Sequence, residues 1–369
     1  MTHITPPELH GLLAIAREEG LDMKPVLLRV LTDLYVSTPA HTSDEAAQFR
    51  EIAGTLVQQV DGDTALVVAC KLAGYAQTPV EVGAAFLARG DDSARILLAD
   101  ARWLPAGVLI EQAAVGDRVM AAAVAARAEI GPDMVRLLLG REDPLIDVTL
   151  AANTSVALPA DVMDLLLDRA RDEDAIAKAL LSRGDLNGAE RAVLYLAADK
   201  AERLKIIEEV ERLVALSGRA RSQRIASQEL VVPMETAAMY GDAESFATVL
   251  ALGLGASVAK SQKILADRSG EALALALLSL GFSDEVATRI FMFRDPLIGQ
   301  SSERVHALVD LFRRVSPPAA ERLVSAMLGA GPARPRTGSH VPQTDQAEAP
   351  HRSAAALAAS TTQAGRRAG

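Results

Sequence analysis

Apolar positions along this chain recur every three or four residues, in short runs repeatedly cut by proline, glycine or acids. That period belongs to helices with one buried stripe. Leu9, Leu12, Leu13 and Ile15 make such a stripe between Pro6-Pro7 and Gly20, and Leu27, Leu28, Leu31 and Leu34 make another behind Pro25. Thr42-Ser43-Asp44-Glu45 reads as a capping box ahead of a helix through Phe49, Ile52, Ala53, Leu56 and Val57. Asp61-Gly62-Asp63 breaks the chain before the apolar run that ends in Cys70, which reads as a small buried hydrophobe.

From residue 79 the punctuation is periodic. Pro79, Pro105, Pro132 and Pro159 follow a nearly even step of about 27 residues, inside the range of known helical repeats. Each precedes an apolar helix, an acidic turn and a second apolar helix; the turns are Asp91-Asp92, Asp117, Glu142-Asp143 and Asp172-Glu173-Asp174. Proline presets the backbone of a first turn, and an aspartate accepts from the free N–H groups of the next helix. A fifth unit is expected from Leu186-Asn187. A helix pair this small cannot bury its own apolar face, so stacking of successive pairs is the expected solution. The pattern therefore predicts an all-α fold, an α-solenoid of helix pairs. Leu137 is expected in its core. Arg127 and Asn153, each set in an alanine-rich run, are expected to satisfy a free backbone carbonyl or amide of the next turn.

Residues 187–216 form a long helical stretch, whole or broken near Asp199. Its apolar positions Val193, Ala197, Leu204, Ile207 and Val214 read first as a helix packed on the array, and second as a seam for a homodimer. Residues 217–229 read as a hinge with Arg219, Arg221 and Arg224. A second helical part follows, in which Leu252-Gly253 and Leu280-Gly281 suggest a repeat of about 28 residues, and Asp295-Pro296 echoes Asp143-Pro144. The organisation expected is N-terminal helices over 1–78, a repeat array over 79–216, the hinge, a second helical subdomain over 230–330 and a tail over 331–369. The tail, with almost no large apolar residue, is expected to be disordered.

Composition narrows the function. Half of the 369 residues are apolar while aromatics make up 3%, so the core must be built from Ala, Leu, Val and Ile. The formal charge of −10 disfavours binding to nucleic acid. One cysteine, no basic-then-apolar leader and no apolar run of spanning length point to a cytoplasmic protein without a membrane segment. No two of the six histidines stand at a metal-ligand spacing, and neither a P-loop nor a nucleophile elbow occurs, so no cofactor, metal or catalytic residue is expected. The acids Asp143, Asp172, Glu173 and Asp174 read as helix-start residues that also form an acidic edge, a candidate interaction surface together with Arg219, Arg221 and Arg224.

Leu34-Tyr35-Val36, the units around Pro105, Pro132 and Pro159, Leu150-Ala151-Ala152-Asn153 and the segment Asp267-Arg268-Ser269-Gly270-Glu271-Ala272-Leu273-Ala274 resemble a family of alphaproteobacterial helical-repeat proteins, domain-of-unknown-function family 2336. The resemblance covers residues 31 to about 328 and implies HEAT-like repeats with no known catalysis. The function expected is a non-catalytic interaction or scaffold module whose partner is another protein. The alternatives are a sensor or enzyme holding a small anionic ligand near Arg219, Arg221 and Arg224, and a helical-repeat protein that binds nucleic acid.

Overall fold

The computed structural model describes residues 22–217, 225–294 and 299–329. All regular structure among them is helical. The first region holds α1 (Lys24–Ser37), α2 (Ser43–Val57), α3 (Gly62–Ala73), α4 (Val80–Leu87), α5 (Asp92–Asp100), α6 (Ala106–Val115), α7 (Arg118–Ala125), α8 (Pro132–Leu139), α9 (Pro144–Ala152), α10 (Ala160–Ala170) and α11 (Asp174–Leu181). The capping box is formed, with Thr42 and Glu45 each accepting the other's backbone N–H. Pro79, Pro105 and Pro159 occupy the N-cap positions of α4, α6 and α10, and Pro132 is the first residue of α8. Asp91, Asp117 and Asp143 cap α5, α7 and α9 through their carboxylates.

Neighbours in space follow from these starts. One row of helices packs α1 on α3, then α5, α7, α9 and α11, each on the next; beside it α2 packs on α4, and α6 on α8 and α8 on α10. The apolar faces between the rows merge into one core cluster from Leu28 to Leu194. Small residues make this packing close: α7 buries Ala121, Ala122, Ala123 and Ala125. At Gly83 an added methyl would stand 2.7 Å from the Trp103 ring, so the chain's one tryptophan fits because that position has no side chain.

The second region comprises α12 (Gly188–Val193), a 3₁₀ turn (Tyr195–Ala197), α13 (Lys200–Leu216), α14 (Gln228–Met239), α15 (Ala243–Leu254), α16 (Val258–Ala266), α17 (Glu271–Leu280), α18 (Asp284–Arg294), α19 (Ser302–Arg314) and α20 (Pro317–Leu328). Its core runs from Ala192 to Leu328 around α17, which is buried from Ala272 to Leu280. Asp199 caps α13, so the long stretch is broken at the expected place. Ile206, Ile207 and Val210 of α13 lie in this second core. The repeat here takes a slightly shorter register than the one expected, because Leu254-Gly255-Ala256-Ser257 matches Leu280-Gly281-Phe282-Ser283. Gly255 and Gly281 both take left-handed φ, 62° and 82°. The next residues, Ala256 and Phe282, donate back to Ala251 O and Leu277 O at 2.9 and 3.1 Å. Gly253, paired from sequence with Gly281, is inside α15 and packs on Leu230 and Leu280.

Two further expectations are corrected. Leu137 is 37% exposed and its neighbour Leu138 is fully buried, because the stripe of α8 runs through Val135, Leu138 and Leu139. Cys70 is exposed on α3, while Ala65, Val68, Ala69 and Leu72 carry the buried face. The predicted helix over 7–20, the hinge arginines, Asp295-Pro296 and the tail lie outside the described residues.

Candidate functional site

Several buried and part-buried polar side chains of the first region face helix ends. A helix leaves its last carbonyls without partners, and they carry its negative pole. Trp103 Nε1 donates to Leu72 O near the end of α3 at 2.9 Å. Arg127 donates to Leu98 O and Ala101 O at the end of α5 at 2.6 and 2.9 Å. Asn153 Nδ2 donates to Ala125 O and Arg127 O at the end of α7 at 2.9 and 2.7 Å. Arg183 donates to Asn153 O and Val156 O after α9 at 2.8 and 2.9 Å. The other row repeats the device: Arg89 serves Val57 O, Arg141 serves Ala113 O, and Arg169 serves Leu139 O. Each unit thus closes the helix ends of the one before it. Burial draws the Arg127 pKa below its ordinary value, and the two carbonyls accept its N–H bonds in place of water. Arg127 and Asn153 do satisfy backbone carbonyls, but those at the end of the preceding unit and not of the next turn, because stacking brings that helix end beside them; Arg89, Arg141, Arg169 and Arg183 do the same work without having been singled out.

The acids expected to form an interaction edge have separate employment. Asp143 Oδ1 accepts from Leu145 N at 2.8 Å and lies 3.6 Å from Arg118. Asp172 pairs with Lys263 of α16, which also donates to Arg171 O at 2.8 Å. Glu173 occupies the N-cap position of α11 without a capping side-chain bond, and Asp174 is the first residue of that helix. Arg219, Arg221 and Arg224 lie outside the described residues.

What the first region does present is a repeated surface. Ile110, Leu137 and Leu165 are 51, 37 and 42% exposed and stand one repeat step apart on α6, α8 and α10, which pack in succession. Asp133, Asp161, Asp164 and Asp168 are exposed on α8 and α10. Arg136 bridges Asp161 at 2.8 Å and Asp133 at 3.3 Å.

A buried charge cluster lies within the second region. Arg203 of α13 donates to Leu196 O and Ala198 O and pairs with Asp267 at 3.1 Å and Glu271 at 3.0 Å. Ser269 Oγ donates to Asp267 at 2.7 Å and accepts from Arg203 at 2.6 Å. Asp267 also accepts from Ala272 N at the start of α17. The segment from Asp267 to Ala274 is therefore a loop and helix start organised around one guanidinium. Burial opposes the Asp267 charge, and the bonds from Arg203 and Ser269 outweigh it, holding the carboxyl below its usual range. Burial pushes the Tyr195 phenol far up, with the Glu271 carboxylate adding to it. Arg203 stacks 5.0 Å from the Tyr195 ring centroid. The cluster is internally paired; its chemistry is that of a brace. Among the described residues no group of three or more His, Cys, Asp or Glu is placed to hold a metal ion.

No single described helix is long and apolar enough to cross a membrane; α15 and α16 reach that length only together, bent by 111°. Comparison with curated proteins and with solved structures gives no match. The model of one family, described as "Uncharacterised protein conserved in bacteria (DUF2336)", matches residues 93–325, from the first turn of α5 into α20 and so through both cores. The chain belongs to that bacterial family.

Proposed function

We propose that this protein is a non-catalytic protein-interaction module of the cytoplasm, a HEAT-like α-solenoid that presents one helical row to another protein. The observation that carries the reading is the exposure of Ile110, Leu137 and Leu165 in one register on consecutive helices. Single exposed aliphatic residues need no explanation, whereas a repeated row of them on packed neighbours is what an interface core requires. Packed helices stand about 10 Å apart, close to the rise of seven residues of an α-helix. A partner helix lying across α6, α8 and α10 would meet the three side chains with positions i, i+7 and i+14. The flanking acids Asp133, Asp161, Asp164 and Asp168 favour basic residues beside that seam. The charged side chains of the interior support the same reading, since they serve as caps and braces.

The test is a triple substitution, Ile110→Asp, Leu137→Asp and Leu165→Asp, compared with wild type in affinity capture from the native host. A protein that co-purifies with wild type in stoichiometric amount and is lost from the triple variant, with helicity unchanged, is the expected outcome. Retention of the same partners by the folded triple variant would remove the stripe from the account.

A further inference from the structure

A cleft of about 580 Å³ lies between the start of α15, α16 and the end of α18, lined by Ala243, Glu244, Ala247, Val258, Gln262 and Arg294 among others. Small-ligand sites have volumes of roughly 300–1,000 Å³. Arg294 is half-buried and closes α18. Its guanidinium lies 5.3 Å from the Phe246 ring centroid, and its Nε is buried without a partner. No hydrogen bond or ion pair reaches this side chain among the described residues. Its neighbours show what is usual in this chain. Arg289, a turn and a half earlier, pairs with Glu235 at 2.7 Å, and Arg313 pairs with Asp284 at 2.8 Å.

Only the Nε–H of this guanidinium is buried and unmet, and one donor withdrawn from water without an acceptor is costly, while the two terminal nitrogens still reach solvent. The Phe246 face meets only part of that demand. The unmet part calls for an anionic acceptor. The wall also carries Glu244, which does not pair with Arg294, and a second negative charge there disfavours a dianion. A monocarboxylate fits the charge. The remaining lining mixes the apolar Ala243, Ala247, Val258, Leu265 and Ala266 with the polar Thr248 and Gln262. Large apolar side chains stand exposed close by in the chain: Met239 and Tyr240 just before α15, and Met292 and Phe293 just before Arg294. None of the four lines the cleft, so the aliphatic part of the wall is that of Ala243, Ala247, Val258, Leu265 and Ala266 alone.

We infer that the cleft binds a small organic monocarboxylate, its carboxylate on the Arg294 Nε–H and its short body against the aliphatic part of α15 and α16. The carboxylate belongs either to a free acid or to a peptide segment. This site is separate from the stripe on α6, α8 and α10, and its fate is independent of that reading.

The experiment follows the Nε–H signals of the arginines by ¹H–¹⁵N NMR on the full chain, with hexanoate, hexanamide and N-acetyl-alanyl-leucine as probes. Saturable movement of the Arg294 signal with hexanoate or with the peptide acid, and none with hexanamide, is the expected result. Binding tighter for hexanoate assigns a free acid, and binding tighter for the peptide acid assigns a peptide segment. Arg294→Gln is expected to weaken binding by at least about tenfold, while Arg212→Gln, at an exposed position of α13, leaves it unchanged. Equal response to hexanoate and hexanamide, or no saturable shift with either carboxylate at millimolar concentration, overturns the inference. The wild-type amide comparison decides the matter even if Arg294→Gln does not fold.

Discussion

Leu137 and Leu138 are adjacent in sequence and opposite in burial. The sequence shows a run, Val135-Arg136-Leu137-Leu138-Leu139, whose apolar density leaves the buried face ambiguous by one position, and one position is a rotation of about 100° on a helix. Leu138→Ala is expected to cost about 2–5 kcal/mol by urea denaturation, against less than about 1 kcal/mol for Leu137→Ala. The polar residues divide along the same line of legibility. Arg127 and Asn153 stand out because alanines surround them, and burial without a partner would be costly. Arg183 sits in Ser182-Arg183-Gly184-Asp185, which looks like an exposed loop, yet its side chain is 1% exposed and holds the carbonyls after α9. Arg183→Met leaves those carbonyls unmet and Asp185 unpaired, with an expected cost of about 3 kcal/mol. Arg136→Met breaks only exposed ion pairs and is expected to cost less than about 1 kcal/mol in the same titration.

At the level of helices, the periodic prolines and acids were legible because capping is local chemistry. Asp117 alone satisfies Val119 N and Met120 N at 2.8 and 2.9 Å, and Asp117→Ala is expected to cost about 1 kcal/mol. The register of the second repeat was less legible. Leu-Gly recurs at two spacings there, and only the left-handed φ of Gly255 and Gly281 chooses between them. The brace at Arg203 was beyond sequence reasoning, since its carboxylate partners are far away along the chain, across three intervening helices. It has a pH signature. The folded-state pKa of Asp267 is depressed, so its contribution is present above the unfolded value of about 3.9 and is lost as pH falls through the folded value. Asp267→Asn should therefore lower the urea midpoint at pH 7, and the gap to wild type should close as pH falls below about 4. A constant gap across that range would contradict the assignment of the charge to the fold.

Taken as a whole, the region from α1 to α20 is one compact unit with two cores. Links between the first region and the second include Lys263 with Asp172, and within the second Arg203 holds Asp267 while the Glu211 carboxylate accepts from Ser316 N and Oγ at the start of α20. Trp103 is in the first core, so its fluorescence and far-UV circular dichroism should unfold together in wild type and separate in Arg203→Met. Stacking of small units explains why an aromatic-poor chain suffices, since alanine-rich faces allow close helix contact. It also explains why caps dominate the polar interior and why outward positions recur at the repeat spacing. That recurrence is the central functional claim, and photo-crosslinking tests it most directly. A photoreactive residue placed in turn at Ile110, Leu137 and Leu165 in living cells should trap the same protein at all three positions and leave a probe at Val67, exposed on α3 in the other row, without it. No adduct at any of the three, or the same adduct at Val67, would contradict it.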